Sequence, residues 1–376
     1  VTRILGCFAV DVRRRRIEVR DVATREGRFA LDGDGPAIAG AGLYLLPGLV
    51  DVHAHLLAVP AGETDPPTPV EAMSTMLRAG ITSVRDVGGD LDRSLDLKRQ
   101  WSDGKIPGPR PYVSGPMLSV PGGHGIASGH GVALMSAAHA REVVAGFAER
   151  GVDLIKVATS SARGQDRVPA DHFAAAVEEA HARGLPVAAH AHFQLDLLEL
   201  AIRLGVRSIE HGFALNREPR LADEMARAAV SLVPTLSVID SIRRHPIWYG
   251  QKLVPAARDD ARASVVIAAA AGVDVVTGTD AGVFGTPYDA VWGEVNALAE
   301  LVGSRWSALA AATIAGADLL GDPTWRATFA PGDRGDAVLV RRDPTACDVD
   351  ARDVVAVLQA GEVVYANPAL AAPTPG

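Results

Sequence analysis

Four times along the chain a helical pattern stops at glycine and a short apolar run begins at once: RAG-ITSV, ERG-VDLI, ARG-LPVA and AAG-VDVV. Glycine just past a helix end is a common stop signal. An apolar run without polar alternation reads as a strand covered on both faces, which is how parallel sheets are built. The alternation extends from about residue 45 to about residue 320. Its candidate strands are LYLLPGLVDVHAH, ITSVRDVGG, PRPYVSG, VDLIKVATS, LPVAAHAHF, VRSIEHGFA, VSLVPTLSV and VDVVTGTDAG, with helical patterns such as ADHFAAAVEEAHARG and ADEMARAA between them. Eight such units predict an α/β chain folded as a (β/α)8 TIM-type barrel. A doubly wound sheet would need a phosphate-type glycine loop after the first strand, and DVHAHLL is not one.

The two ends of the chain differ from the middle. ILGCFAVDV, RIEVRDV and RFAL precede the alternating region, and GDAVLVRRD and DVVAVLQAGEVVYAN follow it. They predict a small β-sandwich domain composed of residues 1–46 and 330–368, a barrel over 47–329, and a frayed tail at 369–376. The RRRR run at 13–16 falls between two apolar stretches and reads as a solvated hairpin turn.

Apolar residues make up 48% of the 376, enough for a large core, and the net charge of −8 gives no electrostatic case for nucleic acid or an anionic membrane. No apolar stretch approaches the roughly 20 residues that a membrane helix needs. The N-terminal stretch lacks an apolar core after a basic start, and Cys7 and Cys347 make no disulfide framework. A cytoplasmic protein is expected. Small-molecule substrate is the expected partner, with self-association into a homo-oligomer left open.

In a barrel of this type the chemistry sits where the strands end. Residues two apart on a strand face the same side, so His53 and His55 in PGLVDVHAH aim at one point. The fourth strand carries Lys156, the fifth His190 and His192, the sixth His211 and the eighth Asp280. So many polar groups at one mouth suggest a metal. Lys156 is the informative one, since a buried ammonium is costly. It either pairs with an acid such as Asp153 or Asp280, or has a task. The chain holds 33 arginines against four lysines, so an amine here points to chemistry that a guanidinium cannot do. A neutral amine can take up CO2 to become a carbamate able to bridge two cations. Asp280 can bind a metal through one oxygen and accept a proton from bound water with the other.

With PGLVDVHAH, GITSVRDVGG, GPRPYVSGP, PGGHG, VDLIKVATS, AHAH, IEHG, VPTL and GTDAG in this order, the chain resembles the amidohydrolase superfamily. Within it, the likeness is to the metal-dependent, prolidase-like and imidazolonepropionase-related branch. ATIAGADLLG, GDRGDAVLV and VVAVLQAGEVVY resemble its closing helix and terminal strands, so the likeness spans nearly the whole chain. The resemblance implies a barrel with a small β-domain from both termini. It implies a first divalent metal on His53, His55 and Asp280, and a second on His190 and His211. Lys156, carbamylated by CO2, would bridge them, and a hydroxide shared by the two ions would be the nucleophile. Zinc is the expected metal, which the nitrogen and oxygen donors allow. Mononuclear relatives lack the bridging lysine, so Lys156 places the chain on the binuclear, amide-hydrolysing side.

His124 in PGGHG would, by the same resemblance, polarise the scissile carbonyl or hold a carboxylate. His130 and His192 are further substrate-facing candidates. Arg243, Arg244, Trp248 and Tyr249, in residues 239–250, form either a lid that accepts an anionic or aromatic group, an interface, or an ordinary loop with a solvated charge pair. The adjacent Arg85 and Asp86 read as a structural ion pair, and His139, His172 and His181 as surface residues of helices. Two departures from the family, Ser160 and Ser161 after the lysine strand and SVIDS after VPTL, lie where substrate would sit.

The expected activity is hydrolysis of an amide or peptide C–N bond in a small molecule, such as a dipeptide or N-acyl amino acid. Competing readings are hydrolysis of a cyclic amide, carbamate, urea or lactone, a mononuclear deaminase, and a barrel without catalysis that serves as a binding protein. The last expects gaps in the ligand set, and none is seen.

Overall fold

A computed structural model describes residues 1–57, 66–123, 125–126, 129–159, 167–244 and 253–367, without the side chains of 253–255. His124, Ser160, Ser161, Trp248, Tyr249 and the tail 369–376 lie outside the described residues.

The chain opens with the strands Arg3–Asp11 and Arg16–Arg25, paired antiparallel across the arginine turn with Asp11 opposite Arg16. They belong to an eight-stranded mixed sheet that both ends of the chain build together. Its order runs from Glu362–Ala366 through Val354–Gln359, Ala337–Val340, Tyr44–Pro47, Arg3–Asp11 and Arg16–Arg25 to Arg28–Ala30, with Ala37–Ala39 beside Arg3–Asp11. Its own core includes Ile4, Cys7, Val22, Phe29, Leu45, Phe329, Leu339 and Leu358. Both cysteines are free thiols.

The predicted first strand, LYLLPGLVDVHAH, is two strands. Tyr44–Pro47 pairs with Ala337–Val340 in the terminal sheet, while Leu49–Ala54 pairs parallel with Ile81–Asp86. Gly48 is the switch. A Cβ there would stand 2.1 Å from Thr82 Oγ1, so only glycine lets the chain pass this close.

The remaining strands are parallel. Leu49–Ala54, Ile81–Asp86 and Arg110–Val113 form one group, and Ile155–Ala158, Val187–Ala191, Ser208–His211 and Ser231–Val233 lie in a second, extended by Met117–Ser119 and Gly131–Ala133. Asp153 N donates to Val113 O at 2.9 Å, linking the groups. At the other side Val276 N donates to Leu232 O and Val52 N to Thr277 O, so the segment expected to be the eighth strand bonds to both neighbours. It is not a regular strand: its ladder is reduced to isolated bridges of Val275 to Leu232 and Ala281 to Ala54, and Asp280 between them adopts φ +59°.

Helices cover these strands for the reasons visible in sequence. Pro69–Arg78 starts at Thr68, which forms a capping box with Glu71, and buries Ala72, Met73, Met76 and Leu77 on one face. It stops at Gly80, whose φ is +95° and whose missing Cβ leaves room for Val338 of the terminal sheet. Among the described residues no helix is long and apolar enough to cross a membrane.

Candidate active site

The ends of the parallel strands bring the predicted residues to one place. His53, His55, His190, His211, Asp280 and Lys156 are all buried, the last with 1% of its surface exposed. Asp280 Oδ1 lies 3.1 Å from His55 Nε2 and 3.3 Å from His53 Nε2. His211 Nε2 lies 2.9 Å from His190 Nδ1. Two sets of donor atoms fall within 4.8 Å of one another: His53, His211 and Asp280, and His190, His192 and His211. His211 belongs to both, so the two halves share an edge.

Backbone strain aims these groups. On a regular strand the adjacent Glu210 and His211 would face opposite sides. His211 instead takes φ +69°, and both side chains reach His53: the rings of His53 and His211 are 5.1 Å apart, and Glu210 Oε2 is 2.5 Å from His53 Nδ1. Asp280 (φ +59°) and Thr235 (φ +50°) are strained in the same sense. Left-handed conformations at non-glycine residues cost of order 1–3 kcal/mol each and persist where surrounding bonds over-determine them. Asp51 supplies those bonds for Asp280. Its carboxylate accepts from His53 N, Thr279 N and, at 2.6 Å, Thr279 Oγ1, while Asp280 N donates to His53 O at 2.8 Å. Thr235 Oγ1 lies 2.7 Å from His211 Nδ1. The chain just after Thr235 is held by the buried Glu294, which accepts from Leu236 N and Ser237 N at 2.8 and 2.7 Å.

The electrostatics are those of an unfinished site. Burial lowers the Lys156 ammonium to about 8, against the attraction of Glu210. Its Nζ has no hydrogen-bond partner among the described residues. Asp153, one of its suggested partners, is instead held by Lys98 at 2.7 Å. Burial opposes the charge of Asp280, yet His53 and His55 beside it hold its carboxyl well below the usual range. Burial pushes His211 far below its ordinary value, with His192 and His53 adding to the effect. The structure thus assembles buried imidazoles, that of His211 lowered by burial and that of His55 raised, against its burial, by Asp280, together with an ionised carboxylate and a buried amine of lowered pKa. That donor set, with an amine nitrogen left unbonded, fits divalent cations.

Other predicted residues are placed as follows. His192 is half-buried, stacked on Phe213 with centroids 5.0 Å apart and 4.4 Å from the His211 ring. His130 is half-buried and bonds the backbone of Gly88, whose carbonyl is also 3.4 Å from His55 Nδ1. Arg243 ends the helix Leu236–Arg244, half-exposed and 3.4 Å from Asp240. The expected pairing of Arg85 with Asp86 is corrected: Arg85 reaches across to Glu210 at 2.7 Å, and Asp86 accepts from Leu56 N and Ser94 Oγ. Neighbours on a strand point apart, so the ion pair forms between strands. His181 is exposed, as expected of a helix surface, but His139 and His172 are half-buried.

A sequence model of the amidohydrolase family matches residues 44–366. The chain belongs to the amidohydrolase family. It is therefore a hydrolase, of a family that generally uses divalent metals, and its two histidine-rich groups are where metal could bind. The uncharacterized protein Rv2915c of Mycobacterium tuberculosis is 31% identical over 263 residues, 65% of this chain and 67% of that protein. A prolidase solved with N-methylphosphonate-L-proline is 26% identical at a TM-score of 0.87, over 97% of this chain and all of the other. The ochratoxinase of A. niger shares the fold at 21% identity and a TM-score of 0.81, over 96% of this chain and 95% of that one.

Proposed function

We propose that this amidohydrolase cleaves an amide or peptide C–N bond in a small molecule, at a centre of two divalent cations, zinc being the expected metal. The eight strand segments, whose hydrogen bonds return to the first, would then close as a (β/α)8 barrel over 47–329 beside a small domain of 1–46 and 330–368. His53, His55 and Asp280 would hold one cation, and His190 and His211 the other. One observation carries the reading: the buried Lys156 Nζ, unbonded among the described residues, in the midst of these donors. As a neutral amine it adds to CO2, forming an N–C bond and releasing one proton, and the resulting carbamate can bridge two cations.

When bound, the cations supply an acidified water and polarise the scissile carbonyl. Asp280, kept ionised by the two histidines, accepts the water's proton and passes it to the leaving amine. His192, His130 and Arg243 would face substrate, as would His124 and Tyr249.

Likeness to a prolidase supports beginning with dipeptides, X-Pro among them. Zinc-reconstituted protein should release amine from some dipeptides or N-acyl amino acids, with Asp280→Asn as the blank. If no member is hydrolysed while two metals are bound, the amide assignment fails, and cyclic amides, carbamates and lactones become the substrates to try.

A further inference from the structure

The imidazoles of the centre are oriented by unequal partners. His55 Nδ1 approaches a backbone carbonyl at 3.4 Å, and His211 Nδ1 lies 2.7 Å from the Thr235 hydroxyl. Both partners are neutral. His53 Nδ1 is 2.5 Å from a carboxylate oxygen, Glu210 Oε2. The other oxygen, Oε1, takes Arg85 Nη2 at 2.7 Å and the Ser208 hydroxyl. Arg85 spends its remaining nitrogens on Ser208 Oγ at 3.0 Å and on Val52 O. None of these four residues is more than 3% exposed.

A buried Arg–Glu pair that served only to neutralise itself would give both carboxylate oxygens to the guanidinium, the two-pronged geometry that this pair favours. Here the guanidinium takes one oxygen and leaves the second for His53. Arginine does not give up its proton in proteins, and an ionised carboxylate can only accept. The proton between Glu210 and His53 therefore sits on Nδ1, and Nε2, 3.3 Å from Asp280 Oδ1, is the nitrogen on the side of the proposed metal. A charged acceptor behind an imidazole fixes its tautomer and raises its basicity as a ligand.

We propose that Glu210, held by Arg85, is a positioning residue that locks His53 in its Nδ1–H form and makes the His53–His55–Asp280 half the tighter of two metal sites. The proposal rests on the reading that His53 is a metal ligand. It assigns an order of loading: this half fills first, and the half on His190 and His211 second.

The test is a zinc titration against a chromophoric chelator, on the full chain and on Glu210→Gln. The unaltered chain should show two dissociation constants, and Glu210→Gln should weaken the tighter one by about 10–100-fold. The weaker should change less than about twofold. Zinc in excess of the weakened constant should restore kcat in the variant, a rescue that general damage to the fold would not permit. Equal weakening of both sites, or no change in either, overturns the proposal. Because Glu210→Gln strands the Arg85 charge, a second measurement uses the unaltered chain. In zinc-loaded protein with 15N-labelled histidine, the His53 signal should show a protonated Nδ1, and a protonated Nε2 overturns the proposal. Should His53→Ala take up zinc as the unaltered chain does, the ligand reading fails as well. An intact pair of sites insensitive to Glu210 sinks the positioning role alone.

Discussion

Two clusters of buried charge are built into this chain, and they follow opposite rules. One joins the terminal sheet to the parallel strands. Arg334, 4% exposed, meets Asp322 and Asp336 at 2.7 Å each and Ser83 Oγ at 2.9 Å, and its guanidinium lies 4.2 Å over the Trp325 ring. Tyr112 donates to Asp322 as well. Arg334 Nη1 bonds Asp322 and Nη2 the Ser83 hydroxyl, while Nε meets Asp336 as an ion pair without an aligned hydrogen bond. The other cluster, at the strand ends, leaves an amine unbonded among the described residues, beside imidazoles that bond one another, His190 Nδ1 to His211 Nε2 at 2.9 Å. Burying charge is affordable when partners are complete and costly when they are not. In the Arg334 cluster each charge lies within 2.7 Å of an opposite one. In the histidine cluster the Lys156 amine has no ion-pair partner among the described residues, and on the proposed reading that unpaired amine is what separates a working site from an internal strut.

Removing one charge from each cluster sharpens that contrast. Lys156→Met should abolish uptake of the second metal and lower hydrolysis by roughly 1,000-fold, about 4 kcal/mol of transition-state stabilisation. It should not lower the melting temperature of the metal-free chain, because an unpaired buried amine is replaced by an apolar side chain of similar size. Metal analysis, turnover and calorimetry on one preparation decide it. Two metals per chain with undiminished turnover would break the distinction between the clusters.

Arg334→Met should do the reverse. It leaves Asp322 and Asp336 facing each other without a cation, and breaking a buried pair in this way costs roughly 3–5 kcal/mol. Zinc bound per folded chain should stay as it was. A urea melt that shifts by less than about 1 kcal/mol would show that this cluster is no strut.

A third prediction concerns Glu294, which is buried like both clusters and holds the start of the helix Leu236–Arg244. Desolvation pushes its carboxyl to about 7, against the bonds from Ser237 and Leu236 that lower it. A carboxyl raised in the fold above its ordinary 4.5 binds its proton more tightly folded than unfolded. Its contribution is full below about pH 4.5 and is lost as pH rises to about 7, a decline on the order of 3 kcal/mol. Glu294→Gln, which cannot titrate, should lack that decline. Urea midpoints at pH 5, 6, 7 and 8, with chelator present to exclude metal, measure it, and parallel slopes in the two proteins would refute it.

The contrast between the clusters also explains what could be read from the sequence. The histidines, Lys156 and Asp280 stood out because each ends or interrupts an apolar run, where a polar residue is conspicuous. The strands of the terminal sheet were legible as short apolar runs at both ends of the chain. Glu210, Asp51, Thr235 and Glu294 were not recognised, although the first two also interrupt apolar runs. Their roles depend on partners 24 to 228 residues distant, as Asp51 and Thr279 are. Glu210 and Arg85 form one network only after the strands that carry them fold together, and a neighbour in sequence, Asp86, was the more obvious partner. The eighth strand was legible as an apolar run but not as an irregular one, since the left-handed turn at Asp280 follows from the grip of Asp51 on Thr279. Sequence announces which residues are out of place, and only packing says which of them are satisfied.

Lysine tests that last point with the smallest expected effect. Lys98 and Lys156 are two of only four lysines in the chain, and Asp153 was a suggested partner of Lys156. Lys98 has it: its Nζ bonds both oxygens of Asp153 at 2.7 and 2.8 Å, with a third of the side chain exposed. What the pair needs from Lys98 is a cation within reach, and a guanidinium supplies one. Lys98→Arg should therefore shift stability by less than about 0.5 kcal/mol and leave zinc content and turnover unaltered. On the proposed reading position 156 requires a neutral, nucleophilic amine, so Lys156→Arg should be as inactive as Lys156→Met. Turnover retained in both arginine variants would mean that a positive charge is all that Lys156 provides, and the carbamate would have to be abandoned.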